Sequence, residues 1–200
     1  LYDNTTGSYN TALGTYALED NTTANYNVAV GYKASQLNTT GTVNTSIGCF
    51  ALQSNTTGDS NTAVGYSCLD ANTTADGNTA VGRSALGANT TGSLNTAVGR
   101  SALLVNTTGA ENVAIGAYAL DANTTASYQV AVGYLALTSN TTGNANTAIG
   151  YESLKTNTVG DRNTAVGYQS LRDANPSSNA DTYNTACLLY TSPSPRDMSA

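Results

Sequence analysis

The sequence contains no histidine and no tryptophan, and has one methionine and three prolines in 200 residues. Without histidine it lacks the usual general base and the commonest metal-ligating side chain. Charged residues make up 10%, with seven Lys and Arg against thirteen Asp and Glu, for a net charge of −6. That balance excludes the basic face a nucleic-acid partner needs. No apolar run approaches the roughly 18 residues of a membrane-spanning helix, so no membrane contact is expected of this segment. Disorder is also a poor reading, because 40% of residues are hydrophobic and prolines are few. The acids Asp59, Glu111, Glu152 and Asp161 sit at variable positions and read as solvated turn decoration. No catalytic set can be assembled, and neither a metal nor a cofactor is expected.

What is abundant is Thr (33), Asn (24) and Gly (19), and these fall into a strict period. A motif of the type Asn-Thr-Ala-Val-Gly starts at Asn10, Asn27, Asn44, Asn61, Asn78, Asn95, Asn112, Gln129, Asn146 and Asn163, always 17 residues apart. Asn-Thr-Thr-Gly or a close variant recurs with the same spacing from Asn4 to Asn157. Ten copies of N-T-T-G-x-x-N-T-A-V-G-Y-x-A-L-x-x therefore cover 4–173 without insertion or deletion. Copies are numbered 1 to 10 below, and positions 1 to 17 follow this consensus. The organisation read from this is a repeat domain over 1–173, an irregular continuation over 174–186 and a foreign tail over 187–200. The next Asn-Thr-Ala comes at Asn184, 21 residues after Asn163. The tail from Cys187 through Pro193 and Pro195 to Asp197 resembles one reading frame of a sequencing-library adapter. The chain opens at Leu1 inside a preceding copy, and reads as a fragment open at both ends.

A period of 17 is too short for a helical pair, and Thr, Val and Gly are poor helix formers. Thr-Ala-Val before Gly predicts one short strand and x-Ala-Leu-x a second, with Asn-Thr-Thr-Gly as the turn between them. Two strands and two turns per copy predict an all-β chain, a parallel β-solenoid (β-roll) of ten 17-residue rungs stacked at about 4.8 Å. Gly at position 11, Gly14 to Gly167, occurs in all ten copies and predicts a corner that only glycine allows. The expected inward columns are Val30, Val64, Val81, Val98, Ile115 and Val132, with Leu69, Leu86, Leu103 and Leu120. Alternation along the strand sends Ala63, Ala80, Ala97 and Ala114 to the opposite side. There they would form a small-residue surface on which further chains pack.

Asn-Thr-Ala-Val-Gly-Tyr-x-Ala-Leu resembles the Ser-Val-Ala-Ile-Gly-x-x-Ala motif of YadA-like heads of trimeric autotransporter adhesins. Val28-Ala29-Val30-Gly31, Val113-Ala114-Ile115-Gly116 and Val130-Ala131-Val132-Gly133 come closest. The likeness covers 1–186, and it extends to repeat shafts of bacterial surface fibres and phage tail fibres. The family's head repeat is shorter, and the extra residues here fall in the Asn-Thr-Thr-Gly turn. The resemblance implies a left-handed β-roll and a homotrimer. It also implies a place on the cell outer surface or a phage virion, and a host-surface protein or glycan as partner.

Three further features carry chemistry. Tyr32, Tyr66, Tyr134, Tyr151 and Tyr168 follow the corner glycine, and exposed stacked rings could contact carbohydrate. Asn21, Asn72 and Asn123 stand in Asn-Thr-Thr sequons with an acid two residues before them, and are candidates for glycan attachment. Cys49 and Cys68 fall two repeat positions apart, too far for an easy disulfide when rungs stack. The leading reading is a non-enzymatic structural and adhesive fibre. The alternative is a soluble ice-binding solenoid that uses the column Thr11, Thr45, Thr62, Thr79, Thr96, Thr147 and Thr164, which Val28, Val113 and Val130 interrupt.

Overall fold

The computed structural model describes residues 1–174 and 182–187. Each copy contributes one three-residue strand: β1 (Thr11–Leu13), β2 (Val28–Val30), β3 (Thr45–Ile47), β4 (Thr62–Val64), β5 (Thr79–Val81), β6 (Thr96–Val98), β7 (Val113–Ile115), β8 (Val130–Val132), β9 (Thr147–Ile149) and β10 (Thr164–Val166). An eleventh, β11 (Thr185–Cys187), follows the 21-residue interval, and Thr164 still pairs with Thr185. All eleven form one parallel sheet in chain order, in the register the period dictates, with Ala80 beside Ala97 and Ala97 beside Ala114. There is no helix among the described residues. The chain is a β-solenoid of ten 17-residue turns. Cys187 ends β11 within the stack, and the rest of the 187–200 tail lies outside the described residues.

The expected second strand is absent among the described residues. Around Ala-Leu the chain makes a corner in which alternate residues take left-handed backbone: Ser101 (φ 56) and Leu103 (φ 53), Tyr118 (φ 58) and Leu120 (φ 55). Left-handed backbone costs a non-glycine residue roughly 1–2 kcal/mol. Two such residues per corner cost roughly 2–4 kcal/mol together, and full burial of the Leu side chain, at roughly 1.5–3 kcal/mol, offsets most of that. Rung-to-rung bonding continues through it. Ser101 N–H donates to Arg83 O of the preceding rung (2.9 Å), and Leu103 N–H to Ala119 O of the following one (3.0 Å). Backbone polar groups are thus satisfied along the rod even where the chain is not strand.

The corner glycine behaves as expected. Gly99 has φ 136, and a Cβ there would stand 2.6 Å from Gly116 O. Both the conformation and the approach of the next rung demand glycine.

The two faces of the strand are the reverse of the expectation. The middle Ala is the buried one: Ala63, Ala80, Ala97 and Ala114 have no exposed surface, so they line the coil and not a contact between chains. Val30, Val64, Val81, Val98 and Val132 are half-buried, and Ile115 is 40% exposed. These residues point outward beside the Thr column. Leu69, Leu86, Leu103 and Leu120 are fully buried, as expected. A second Ala column, with Ala85, Ala102 and Ala119, completes the apolar interior. The interior is narrow, and Ala from the strand meets Leu from the opposite corner.

Substitutions in this interior are compensated locally. Ser35 replaces Leu in copy 2 and Ser46 replaces Ala in copy 3, and the two hydroxyls hydrogen-bond to each other at 2.8 Å. The buried Cys68 thiol donates to Ala80 O (3.1 Å), as the Ser153 hydroxyl does to Ala165 O (3.1 Å).

Candidate functional site

The surface along the rod has three kinds of column, and each tests a reading of the sequence. The first is the Asn-Thr-Thr turn. Asn21, Asn72 and Asn123 have no exposed surface. Asn72 Nδ2 donates to Asn55 Oδ1 of the preceding rung (2.8 Å) and to Ala75 O of its own turn (3.1 Å). Asn123 does the same toward Asn106 Oδ1 (2.8 Å) and Ala126 O (3.0 Å). The nitrogen that would accept a glycan is thus buried and engaged on both sides, so these sequons are not attachment sites in the folded chain. The following Thr is also structural: Thr56 Oγ1 donates to Thr73 O (3.0 Å) and Thr73 Oγ1 to Thr90 O (3.1 Å).

A second buried Asn column runs through position 7. Asn95 N–H donates to Asn78 Oδ1 (2.9 Å), Asn95 Nδ2 to Gly109 O (2.9 Å), and Asn95 Oδ1 receives Asn112 N–H (3.0 Å). Gln129 takes this role in copy 8, where its Oε1 receives Asn146 N–H (3.0 Å). The two Asn columns account for the most prominent sequence signal, and their work is internal.

The second kind is the aromatic column. Tyr32, Tyr66, Tyr134, Tyr151 and Tyr168 are exposed at 41–60%. They are joined by Tyr16, Phe50 and Tyr118, which stand one position later in the repeat yet fall in the same stripe. Tyr16, Tyr32, Phe50 and Tyr66 pack edge to face with centroids 5.5–6.0 Å apart. Tyr134, Tyr151 and Tyr168 stack nearly parallel at 5.5 and 5.2 Å. Arg83 and Arg100 occupy the two rungs between, and Arg100 lies over the Tyr118 ring at 4.9 Å. The signal was present in the sequence, since every copy carries one aromatic or Arg at position 12 or 13. The rings of the second run face each other along the rod, so their faces are not presented to a sugar. The stripe reads as a continuous corner cover.

The third kind is the outward strand face. Thr45, Thr62, Thr79, Thr96, Thr147 and Thr164 stand beside Ile47, Val64, Val81, Val98, Ile149 and Val166 on one side of the sheet. Neighbours along each column are about 4.8 Å apart, so the face runs about 48 Å over ten rungs. Leu13 (66% exposed), Ile47 and Ile149 show how much apolar surface it leaves in water. Contiguous apolar patches of this extent mark contact surfaces.

Charged groups are few. Glu152 is buried, hydrogen-bonded by Lys155 Nζ (2.6 Å) and Gln169 Nε2 (2.9 Å), and in ion-pair contact with Arg172 Nε (3.1 Å). The Lys155 and Gln169 hydrogen bonds hold its carboxyl below the usual range. Burial raises the pKa of the Asp70 and Asp121 carboxyls and pushes that of the Cys68 thiol up to about 12. Such a thiol is a packing group and not a nucleophile. Among the described residues, no group of three or more acids and cysteines is placed to hold a metal ion.

Comparison with protein-family models, curated proteins and solved structures returns no match to this chain.

Proposed function

We propose that this chain is a structural and adhesive segment of an extracellular fibre, on a cell surface or a phage virion, assembled from copies of itself. The observation that carries the reading is the outward Thr and Val/Ile face. The rod satisfies its polar backbone groups along its own axis, yet leaves one apolar strip bare from copy 1 to copy 10. A strip about 48 Å long and, at three residues per strand, about 10 Å wide offers about 480 Å², more than half of the roughly 800 Å² each partner gives a standard interface. Packing of copies through this face in parallel register matches the strip along its whole length. A homotrimer is the assembly that the resemblance to YadA-like heads implies, and the contact is assigned to the Val/Ile column in place of the Ala column.

Val98→Asp tests this directly. Val98 is half-exposed, so the charge stays hydrated in a single chain. The substituted chain is expected to keep its β circular dichroism and to sediment as a monomer, while the parent chain self-associates. A parent chain that sediments as a monomer and melts cooperatively would sink the assembly.

One observation favours the ice-binding alternative. Thr and Val/Ile share a flat outward face with a fixed spacing in two directions, which is a template for ordered water. A parent chain that stays monomeric and depresses the freezing point below the melting point supports that function instead.

A further inference from the structure

We infer that copies 8 to 10 form a binding slot for a single neutral sugar ring, which would supply the adhesive contact of the fibre proposed above and rests on that reading. The slot lies at the corner before the strand, away from the Val/Ile column. It is lined by Tyr128, Asn144, Ala145, Asp161 and Arg162 and has a volume of about 260 Å³. That is just below the roughly 300–1,000 Å³ of pockets for drug-sized ligands, which suits one ring and not a chain.

The slot arises because one large side chain is missing from a column. Position 6 carries Tyr128, Ala145 and Arg162 in successive rungs, each with left-handed backbone that swings its side chain outward (φ 62, 56 and 56). Where tyrosines occupy adjacent rungs of this column, they fill it: Tyr9 and Tyr26 stack at 4.9 Å with planes 4° apart. Above Tyr128 the next residue is Ala145. Tyr128 is 60% exposed, and no ring packs on it among the described residues. Tyr128 and Arg162 are two rungs apart, about 9.6 Å. A ring held between two surfaces needs about 7–8 Å at ordinary van der Waals separations. Arg162 is steadied as the far wall by Tyr183, whose ring lies 5.6 Å from the guanidinium and whose hydroxyl accepts from Nη1 at 3.3 Å.

The polar groups set the chemistry. Asn144 Oδ1 accepts Ser127 N–H (2.9 Å) and its Nδ2 donates once, to Thr142 O (3.1 Å), so one amide hydrogen remains. Asp161 Oδ1 accepts Asn144 N–H, and its second oxygen remains. A hydroxyl both donates and accepts, and so satisfies the Asp161 oxygen and the Asn144 hydrogen together. The carboxylate of Asp161 repels an anionic sugar, and the guanidinium of Arg162 repels an ammonium group. A neutral polyol with an apolar ring face for Tyr128 meets all of these conditions.

The test is saturation-transfer NMR on the full chain with the methyl glycosides of glucose, galactose, mannose and N-acetylglucosamine, and with sialic acid as the anionic arm. The variants are Ala145→Leu, which fills the slot, and Tyr128→Ala, which removes its platform. Leu94 occupies the same repeat position with φ 61, so Ala145→Leu preserves the fold. The parent chain is expected to transfer saturation to at least one neutral glycoside, and each variant to lose at least four-fifths of that signal with unchanged circular dichroism. No transfer to any neutral glycoside overturns the slot, as does equal transfer in both variants or a preference for sialic acid. Sedimentation of the same samples separates the two readings. A self-associating chain without glycoside transfer fails the slot alone, and a monomer that transfers saturation fails the fibre alone.

Discussion

At the residue scale, the small side chains inside the coil are set by space and the larger ones outside by tolerance. Ala97 has no exposed surface and sits between Ala80 and Ala114, so Ala97→Leu overpacks a narrow interior. It is expected to cost about 1–3 kcal/mol in urea melts, whereas Val98→Ala on the outer face costs under about 1 kcal/mol. Equal costs would contradict the assignment of the two faces. The carboxylates give opposite pH trends. Glu152 is held below its usual pKa, so its stabilisation is present above that value and lost as pH falls through the folded one. Asp70 is raised by burial, so its stabilising share is present below the usual carboxylate pKa and lost as pH rises through the folded value. Glu152→Gln is therefore expected to flatten the acid side of a plot of Tm against pH. Asp70→Asn is expected to raise Tm at about pH 7 and leave it unchanged at about pH 3. A Glu152→Gln curve parallel to the parent's would remove the role given to its ion pairs.

At the element scale, the corners and not the strands shape the coil. The strands are three residues long and identical in path, while four positions in each copy hold positive φ. The position-11 corner combines a φ that favours glycine with a next-rung carbonyl lying where a Cβ would go. Gly99→Ala is expected to cost about 3 kcal/mol or more, from backbone strain together with that contact. Gly87 makes the contrasting case. An added Cβ there meets Leu104 Cδ1 at 3.4 Å and Asp70 Oδ1 at 3.6 Å, which is near ordinary contact. Gly87→Ala should stay within about 0.5 kcal/mol of the parent. Thermal melts of the two variants side by side would expose any error in this distinction.

At the scale of the whole molecule, the rod is additive. Each rung contacts its two neighbours through the same register and the same Asn and Thr bonds, so stability accumulates rung by rung. Deleting 89–105, one whole copy, joins Ala88 to Asn106 with every column in phase. The deletion is expected to keep the circular dichroism per residue and to shorten the rod by about 4.8 Å in small-angle scattering. Loss of cooperative melting on that deletion would show that the copies are not interchangeable.

The period, the parallel stacking and the corner at position 11 were legible in the sequence alone. A strict repeat of 17 with glycine in every copy leaves no other register for identical side chains to stack. The buried Leu column was legible for the same reason. The direction of the Ala and Val columns was not. Alternation along Thr96, Ala97 and Val98 defines two faces without saying which one the coil encloses. Closure decided it: left-handed corners fold 17 residues into a tube so narrow that Ala fits opposite Leu and the β-branched residues are left outside. The same closure replaced the expected Ala-Leu strand with a corner and buried Asn21, Asn72 and Asn123 as ladder donors in place of glycan acceptors. It also brought Tyr118 and Tyr134 into one stripe from different repeat positions. Local sequence set which residues repeat, and the curvature of the closed coil set which way each of them points.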